Sequence, residues 1–148
     1  PYSSLSDYRL SDPTQYSIWY EALKYATDKG STVVISAGNE DADVGTHLPL
    51  PAAFSSEIDG VISVAAVANT GDISSYSNYG SLVTIAAPGG DDNGNYGSAI
   101  ISTAPNSSYE ELQGTSMASP VVAGAAALIK AVNPKLRPND VESILRDI

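Results

Sequence analysis

The segment that begins at Ser116 constrains the fold of this chain more than any other. Ala118, Val121, Val122, Ala123, Ala125, Ala126, Ala127, Leu128, Ile129, Ala131 and Val132 leave almost no polar angle on a helical wheel. A helix without a polar face needs cover all round, so the pattern predicts a helix buried on every side. Its longest apolar stretch, residues 121–129, is too short to span a bilayer, which assigns the helix to a protein core. Asn133-Pro134 ends it. Arg137-Pro138-Asn139-Asp140 then opens a last helix, amphipathic through Val141, Ile144, Leu145 and Ile148.

The residues able to cover such a helix lie upstream. Residues 32–37 (T-V-V-I-S-A), 61–67 (V-I-S-V-A-A-V) and 82–87 (L-V-T-I-A-A) are short, apolar and rich in β-branched side chains, as expected of strands buried on both faces of a parallel sheet. Residues 98–102 and 109–113 read as a further pair of strands, with Pro105-Asn106 turning between them. Asp12-Pro13-Thr14-Gln15 reads as a helix start, with Asp12 as the N-cap, Pro13 at the first helical position and Gln15 completing a capping box. Ile18, Trp19, Ala22, Leu23 and Ala26 follow at helical spacing, and Gly30 is the stop. Buried strands mixed with helices give an α/β fold with a largely parallel sheet, and 148 residues suit one domain.

Composition narrows the function classes. Apolar residues make up 43% and charged residues only 16%, so much of the chain is expected to lie inside something. Seven Lys and Arg against 17 Asp and Glu leave a net charge of −10, which argues against nucleic-acid phosphates and anionic membranes as partners. Without cysteine there is no disulfide framework, zinc thiolate site or cysteine nucleophile. Pro1-Tyr2-Ser3-Ser4 lacks the basic and apolar regions of a signal peptide, and a start without Met is expected of a processed or truncated piece.

Chemistry concentrates at Gly114-Thr115-Ser116-Met117-Ala118-Ser119-Pro120, immediately before the apolar helix. A serine hydroxyl becomes a nucleophile only with exposure and a base to take its proton. A helix N-terminus supplies exposure, unpaired amides and a dipole that favours a developing oxyanion. The simpler alternative is that Ser116 is an ordinary N-cap. Order along the chain tests the known serine arrangements. An α/β-hydrolase elbow needs Gly-x-Ser-x-Gly and a later His, but Ala118 holds the last motif position and no His follows Ser116. A His, Asp, Ser order can be assembled from His47, Asp72 and Ser116, yet the two-barrel fold that uses it has no long buried helix at its nucleophile.

The remaining arrangement is that of the subtilases, which this sequence resembles. Gly114-Thr115-Ser116-Met117-Ala118-Ser119-Pro120 followed by Val122-Ala123-Gly124 matches their nucleophile motif, and Val33-Val34-Ile35-Ser36-Ala37-Gly38-Asn39-Glu40 is similar to their oxyanion strand and turn. Pro51-Ala52, Val61-Ile62-Ser63-Val64, Ser74-Ser75-Tyr76-Ser77-Asn78-Tyr79-Gly80 and Ala87-Pro88-Gly89 fall in family order, so the resemblance covers roughly residues 14–148. It implies a three-layer fold around a seven-stranded parallel sheet, of which this chain supplies the C-terminal half only. It implies Ser116 as the nucleophile, with its own N–H and the Asn39 side chain binding the oxyanion. Ser36, Ala37 and Gly38 are expected to form one wall of the primary specificity pocket and to pair with substrate through their backbone. Gly114 and Thr115 line the same region, and Pro51 and Ala52 lie near its floor. The small side chains imply a medium to large P1 residue.

Departures from the family pattern set further expectations. The family's Asp and His motifs precede its oxyanion asparagine, and neither occurs here. The only histidine, His47, follows Asn39 and is expected in a loop near the pocket. Residues 1–148 therefore read as part of a catalytic domain whose Asp and His come from an N-terminal partner segment. Alone, the piece is expected to be inactive and to self-associate through uncovered apolar faces. A degenerate, peptide-binding domain and a stable proteolytic remnant stay open as alternatives. The resemblance implies a peptide or protein substrate and a secreted or extracellular location. It also makes calcium possible, although no metal ligands are assigned: Asp41 and Asp43 flank the oxyanion turn, Asp91-Asp92-Asn93-Gly94-Asn95 lacks an EF-hand register, and Thr84 stands where some members place a liganding Asp.

Overall fold

A computed structural model of the chain describes residues 2–92 and 98–147. In chain order it contains α1 (Leu5–Ser11), α2 (Pro13–Asp28), β1 (Val33–Ser36), a 3-10 helix (Ala52–Ser56), β2 (Val61–Val67), β3 (Ile85–Pro88), β4 (Ile100–Ala104), β5 (Ser108–Leu112), α3 (Thr115–Val132) and α4 (Pro138–Arg146). Ile148, the last apolar position expected of α4, lies outside the described residues. The first three strands form a parallel sheet in the order β1-β2-β3, with Val33 opposite Val61 and Val64 opposite Ile85. β4 and β5 form a separate antiparallel hairpin.

Alternation along β2 creates the layers. Ile62, Val64 and Ala66 point to one face, where they pack with Ala118, Val122 and Ala126 of α3 and with Val141 and Leu145 of α4. Val61 points to the other face and joins Leu5, Tyr8, Tyr16, Leu23 and Phe54 from α1, α2 and the 3-10 helix. Because both faces are covered, β2 is apolar without interruption except at Ser63, as a central parallel strand requires. This is a three-layer α/β fold with a parallel sheet, as expected.

Local signals decide the element ends. The Asp12 carboxylate accepts the Gln15 N–H at 3.1 Å and Pro13 holds the first helical position, while Gly30 at φ +90° receives the chain as it leaves α2. α1 goes beyond the sequence expectation; its signal is Ser4, whose hydroxyl accepts the Asp7 N–H at 3.1 Å. The strand expected over residues 82–87 runs only over Ile85–Pro88. Thr84 donates its N–H to the Ser63 carbonyl, but the Ser63 N–H goes to the Thr84 hydroxyl instead of a carbonyl, which ends the ladder there.

Two readings of α3 need correction. It has 18 residues with a mean hydropathy of 1.4, long and apolar enough to cross a membrane, so the argument from residues 121–129 fails on length. Its placement, packed lengthwise on three strands, is that of a core helix. It is also not buried on all sides: Ala118, Val122 and Ala126 form one covered stripe, whereas Val121, Leu128 and Val132 are exposed, Val132 to 89%. The sheet offers cover on one side only.

Candidate active site

Two chain segments meet at the C-terminal ends of the parallel strands, where ligand sites collect in open α/β sheets. β1 ends at Ser36 and leads through buried Ala37 and half-buried Gly38 into a turn that carries Asn39 on its exposed side. β3 ends at Pro88, and its next residue, Gly89, accepts the Gly114 N–H at 3.0 Å. Gly114 is the N-cap of α3 at φ +152°, a backbone state that side chains disfavour. A glycine is required at position 89 as well, where a Cβ would stand 2.5 Å from the Ala66 Cβ and 2.8 Å from the Gly114 carbonyl.

Ser116 is the second residue of α3, not its N-cap, which corrects the simpler reading of this serine. Its side chain is exposed at the helix start. The amides of the first turn are nearly all occupied. The Thr115 N–H donates to Asn39 Oδ1 at 2.9 Å, and the Met117 and Ala118 N–H groups donate to the Gly114 carbonyl at 2.9 and 3.2 Å. Among the described residues, the Ser116 N–H has no such acceptor. It remains free at the positive end of an 18-residue helix.

Thr115 connects the two segments. It is completely buried, and its hydroxyl both donates to Asn39 Oδ1 at 2.9 Å and accepts the Gly38 N–H at 3.2 Å. Since the Thr115 N–H can only donate, the Asn39 atom facing it is the oxygen, and the amide nitrogen points away. The Asn39 Nδ2 and the Ser116 nitrogen are neighbours at this end of the sheet. They lie 3.5 and 3.6 Å from one point, the position a Cβ on Gly114 would take. Among the described residues neither nitrogen has an acceptor, so two free donors border one small region at the start of α3, where Ser116 is exposed.

Thr115 supports the turn from within and offers no surface to a ligand. Ala37 and Gly38 also differ from expectation. The Ala37 N–H donates to Val64 and its carbonyl accepts from the Asn78 side chain; the Gly38 N–H goes to Thr115 and its carbonyl accepts the Asn78 N–H. All four groups are used inside the chain, and Ala37, like Thr115, is completely buried, so the backbone pairing expected here has no free groups at Ala37 and Gly38. Ser36 is half-buried at the strand end. Pro51 and Ala52 open the 3-10 helix, with Ala52 fully inside.

His47 is exposed in the turn after Asp43, whose carbonyl accepts its N–H at 2.9 Å. Asp91 is engaged by Ser75, whose N–H and hydroxyl donate to its carboxylate at 2.6 and 3.1 Å. Residues 93–95 of the suggested cation loop lie outside the described residues, among which no three His, Cys, Asp or Glu side chains gather. Thr84 is occupied in the sheet, as described above.

Sequence reasoning assigned no role to the polar run at residues 74–80, and this run braces the site. The Ser74 hydroxyl donates to the Gly90 carbonyl at 2.8 Å, and the Tyr76 hydroxyl reaches the carbonyls of Gly89 and Gly90 at 2.9 and 2.6 Å. Burial pushes the Tyr76 phenol above its ordinary pKa, which keeps it protonated as a donor. The Tyr76 carbonyl accepts the Asp41 N–H at 2.9 Å. The available signal was a serine-, tyrosine- and asparagine-rich stretch between two buried strands, where such side chains need partners.

Comparisons with known proteins agree with this arrangement. The profile of the Subtilase family matches residues 4–147. The chain is 41% identical over 134 residues to an extracellular protease of Xanthomonas campestris pv. campestris, covering 85% of this chain and 21% of that protein. It is 44% identical to thermitase of Thermoactinomyces vulgaris, covering 74% and 34%, and 40% identical to the major intracellular serine protease of Bacillus subtilis, covering 82% and 35%. The chain thus spans about a fifth to a third of the length of these curated relatives. Among solved structures, a protease from Pseudoalteromonas arctica superposes with a TM-score of 0.76 at 39% identity, over 86% of this chain and 38% of that one. A cold-adapted subtilisin-like serine proteinase gives 0.73 at 31% identity, over 90% and 43%. With a match along nearly its whole length and the fold to go with it, this chain belongs to the subtilase family and carries part of a subtilisin-like domain.

Proposed function

We propose that this chain forms the nucleophile and oxyanion half of a serine endopeptidase. Ser116 Oγ attacks the carbonyl carbon of a peptide bond while its proton passes to a histidine base. The carbonyl oxygen becomes an oxyanion that receives the Ser116 N–H and the Asn39 Nδ2. Collapse expels the amine, which takes the proton from the histidine, and leaves an acyl-enzyme on Ser116; water then hydrolyses that ester by the reverse sequence. The histidine and the carboxylate that orients it come from a segment outside these 148 residues, because His47 is held in a separate turn. That segment also covers the exposed face of α3 at Val121, Leu128 and Val132. Ser36 and Gly38, both half-buried, wall a pocket for a medium to large P1 side chain, with buried Ala37 between them.

One observation carries this reading: two donors without acceptors among the described residues lie close to one point at the helix N-terminus that exposes Ser116. A preorganised pair of this kind favours charge that develops in a transition state more than charge already present in the substrate. The test is labelling of the complete protease with a fluorophosphonate, followed by peptide mapping. The adduct is expected on Ser116, and Ser116→Ala is expected to abolish both labelling and peptide hydrolysis. Hydrolysis that survives Ser116→Ala would refute the proposal. Peptide binding without any adduct would favour a non-catalytic binding domain.

A further inference from the structure

We infer that Asn78 is a positioning residue for this reaction: its side chain fixes the turn that presents Asn39. The inference rests on the proposed role of Asn39. Asn78 is completely buried, and its carboxamide makes all four hydrogen bonds available to it. Oδ1 accepts the N–H groups of Glu40 at 3.1 Å and Ala42 at 3.0 Å. Nδ2 donates to the Ala37 carbonyl at 2.9 Å and to the Glu40 carboxylate at 2.7 Å. The Asn78 backbone N–H adds a bond to the Gly38 carbonyl at 3.1 Å. These bonds reach residues 37, 38, 40 and 42, on both sides of Asn39, and none touches Asn39 itself.

The turn needs such a partner because the sheet has stopped. β1 ends at Ser36, and φ of +106° at Gly38 and +50° at Asp41 takes the backbone out of any ladder. The freed groups must find partners or suffer the cost of burial without them. A carboxamide presents a donor and an acceptor in one rigid plane, as a peptide unit does, so Asn78 stands in for the missing strand. The fit is tight: a Cβ on Gly38 would lie 2.3 Å from Asn78 Nδ2. Asn78 is anchored in turn through Ser77, whose hydroxyl accepts the Ala66 N–H of β2 at 2.9 Å. Thr115 grips the turn from the helix side and Asn78 from the sheet side, and Asn39 is held between them.

The test compares Asn78→Asp, Asn78→Ser, Asn39→Leu and the double variant Asn39→Leu/Asn78→Asp in the complete protease. Rates on a peptide amide substrate are expressed per titrated active site. Asn78→Asp keeps both acceptor bonds, loses both donor bonds and sets a second carboxylate against Glu40; Asn78→Ser is too short to span the turn. Each single Asn78 variant is expected to lower kcat by about 10-fold or more with KM changed by less than about 2-fold, because a displacement near 1 Å costs up to about 10²-fold. The double variant is expected to be no slower than Asn39→Leu alone, since nothing remains to be positioned. A normal kcat per site in either folded Asn78 variant, with the loss confined to Tm, overturns the inference, and so do multiplicative losses in the double variant. Asn78→Ser decides the matter if Asn78→Asp does not fold. A normal kcat in Asn39→Leu alone is a separate result that overturns the role of Asn39, and this inference with it.

Discussion

Asn39 Oδ1 accepts two hydrogen bonds from Thr115, one from its backbone N–H and one from its hydroxyl, each at 2.9 Å. The pair fixes which end of the Asn39 carboxamide faces the protein. It leaves the NH2 group without an acceptor among the described residues, 3.5 Å from a point that lies 3.6 Å from the Ser116 nitrogen. In the proposed reaction, that free donor receives the negative charge that develops on the substrate carbonyl oxygen.

Replacement of Asn39 by leucine in the complete protease is therefore expected to lower kcat by about 10²–10³-fold, the magnitude that loss of the equivalent donor has in a subtilisin. KM should change little, because the bond strengthens only as the oxyanion forms. Steady-state kinetics on a peptide amide decides it: an effect confined to KM would place Asn39 in ground-state binding.

The 148-residue chain alone is expected to show no peptidase turnover. Without its base the serine stays protonated, and loss of one triad member removes nearly all of the triad's benefit, as known from a subtilisin. Turnover by purified chain that disappears in Ser116→Ala would contradict this.

The isolated chain is also expected to associate. β1 lies at a sheet edge, and Val121, Leu128 and Val132 on α3 join Ile18 and Tyr25 on α2 as exposed apolar side chains. Sedimentation velocity should show dimers or larger species at micromolar concentration; a stable monomer with a cooperative thermal transition would contradict the expectation.

Gly38→Ala is expected to destabilise the fold by roughly 1–3 kcal/mol from backbone strain alone. The added methyl would also meet Asn78 Nδ2 at 2.3 Å and the Glu40 carboxylate at 2.4 Å. Urea unfolding of the complete protease measures the loss, and wild-type stability would show that the turn relaxes freely.

Tyr16 gives the fold an alkaline limit. Burial, and then its hydrogen bond and proximity to the Glu57 carboxylate, push its pKa from 10.0 up to about 12. The folded state binds this proton more tightly than the unfolded state. The contribution is therefore complete below pH 10 and is lost as pH rises through about 12. Tyr16→Phe should flatten the pH dependence of unfolding over that window while lowering stability at neutral pH, where the bond to Glu57 is lost. An unchanged alkaline profile would show that another group sets the limit.

Much of this architecture is legible in local sequence. β2 runs over the residues its apolar run predicts, and Asp12 and Pro13 start α2 as their chemistry requires. The failures share a physical cause: each depends on what lies across space. The all-round apolar pattern of α3 describes a helix with neighbours on every side, while only one stripe is covered here. Residues 82–84 look like strand because nothing local reveals that Thr84 meets Ser63 through its hydroxyl. Ser116 and Asn39 are legible through a family pattern, but the partners that hold Asn39 are not. Thr115 and Asn78 act through bonds that span 76 and 38 positions of sequence.

The bond from the Gly114 N–H to the Gly89 carbonyl has a consequence for how this protein can vary. It fastens the two ends of residues 90–113 to each other, so the hairpin of β4 and β5 leaves the sheet and returns to its point of departure. Changing the length of a closed excursion alters chain entropy by only about 0.6 kcal/mol per doubling. The serine sits just past the fastening. Gly90 and Asp91 at the start of the excursion are held by Ser74, Tyr76 and Ser75, whereas, among the described residues, the hairpin tip between β4 and β5 makes no such bond to the site. Insertions, deletions or grafted segments at the tip between Ala104 and Ser108 are thus free to remodel the surface beside the site while its geometry stays fixed, which makes the hairpin tip the natural place for new properties to be tried at little risk to the old one.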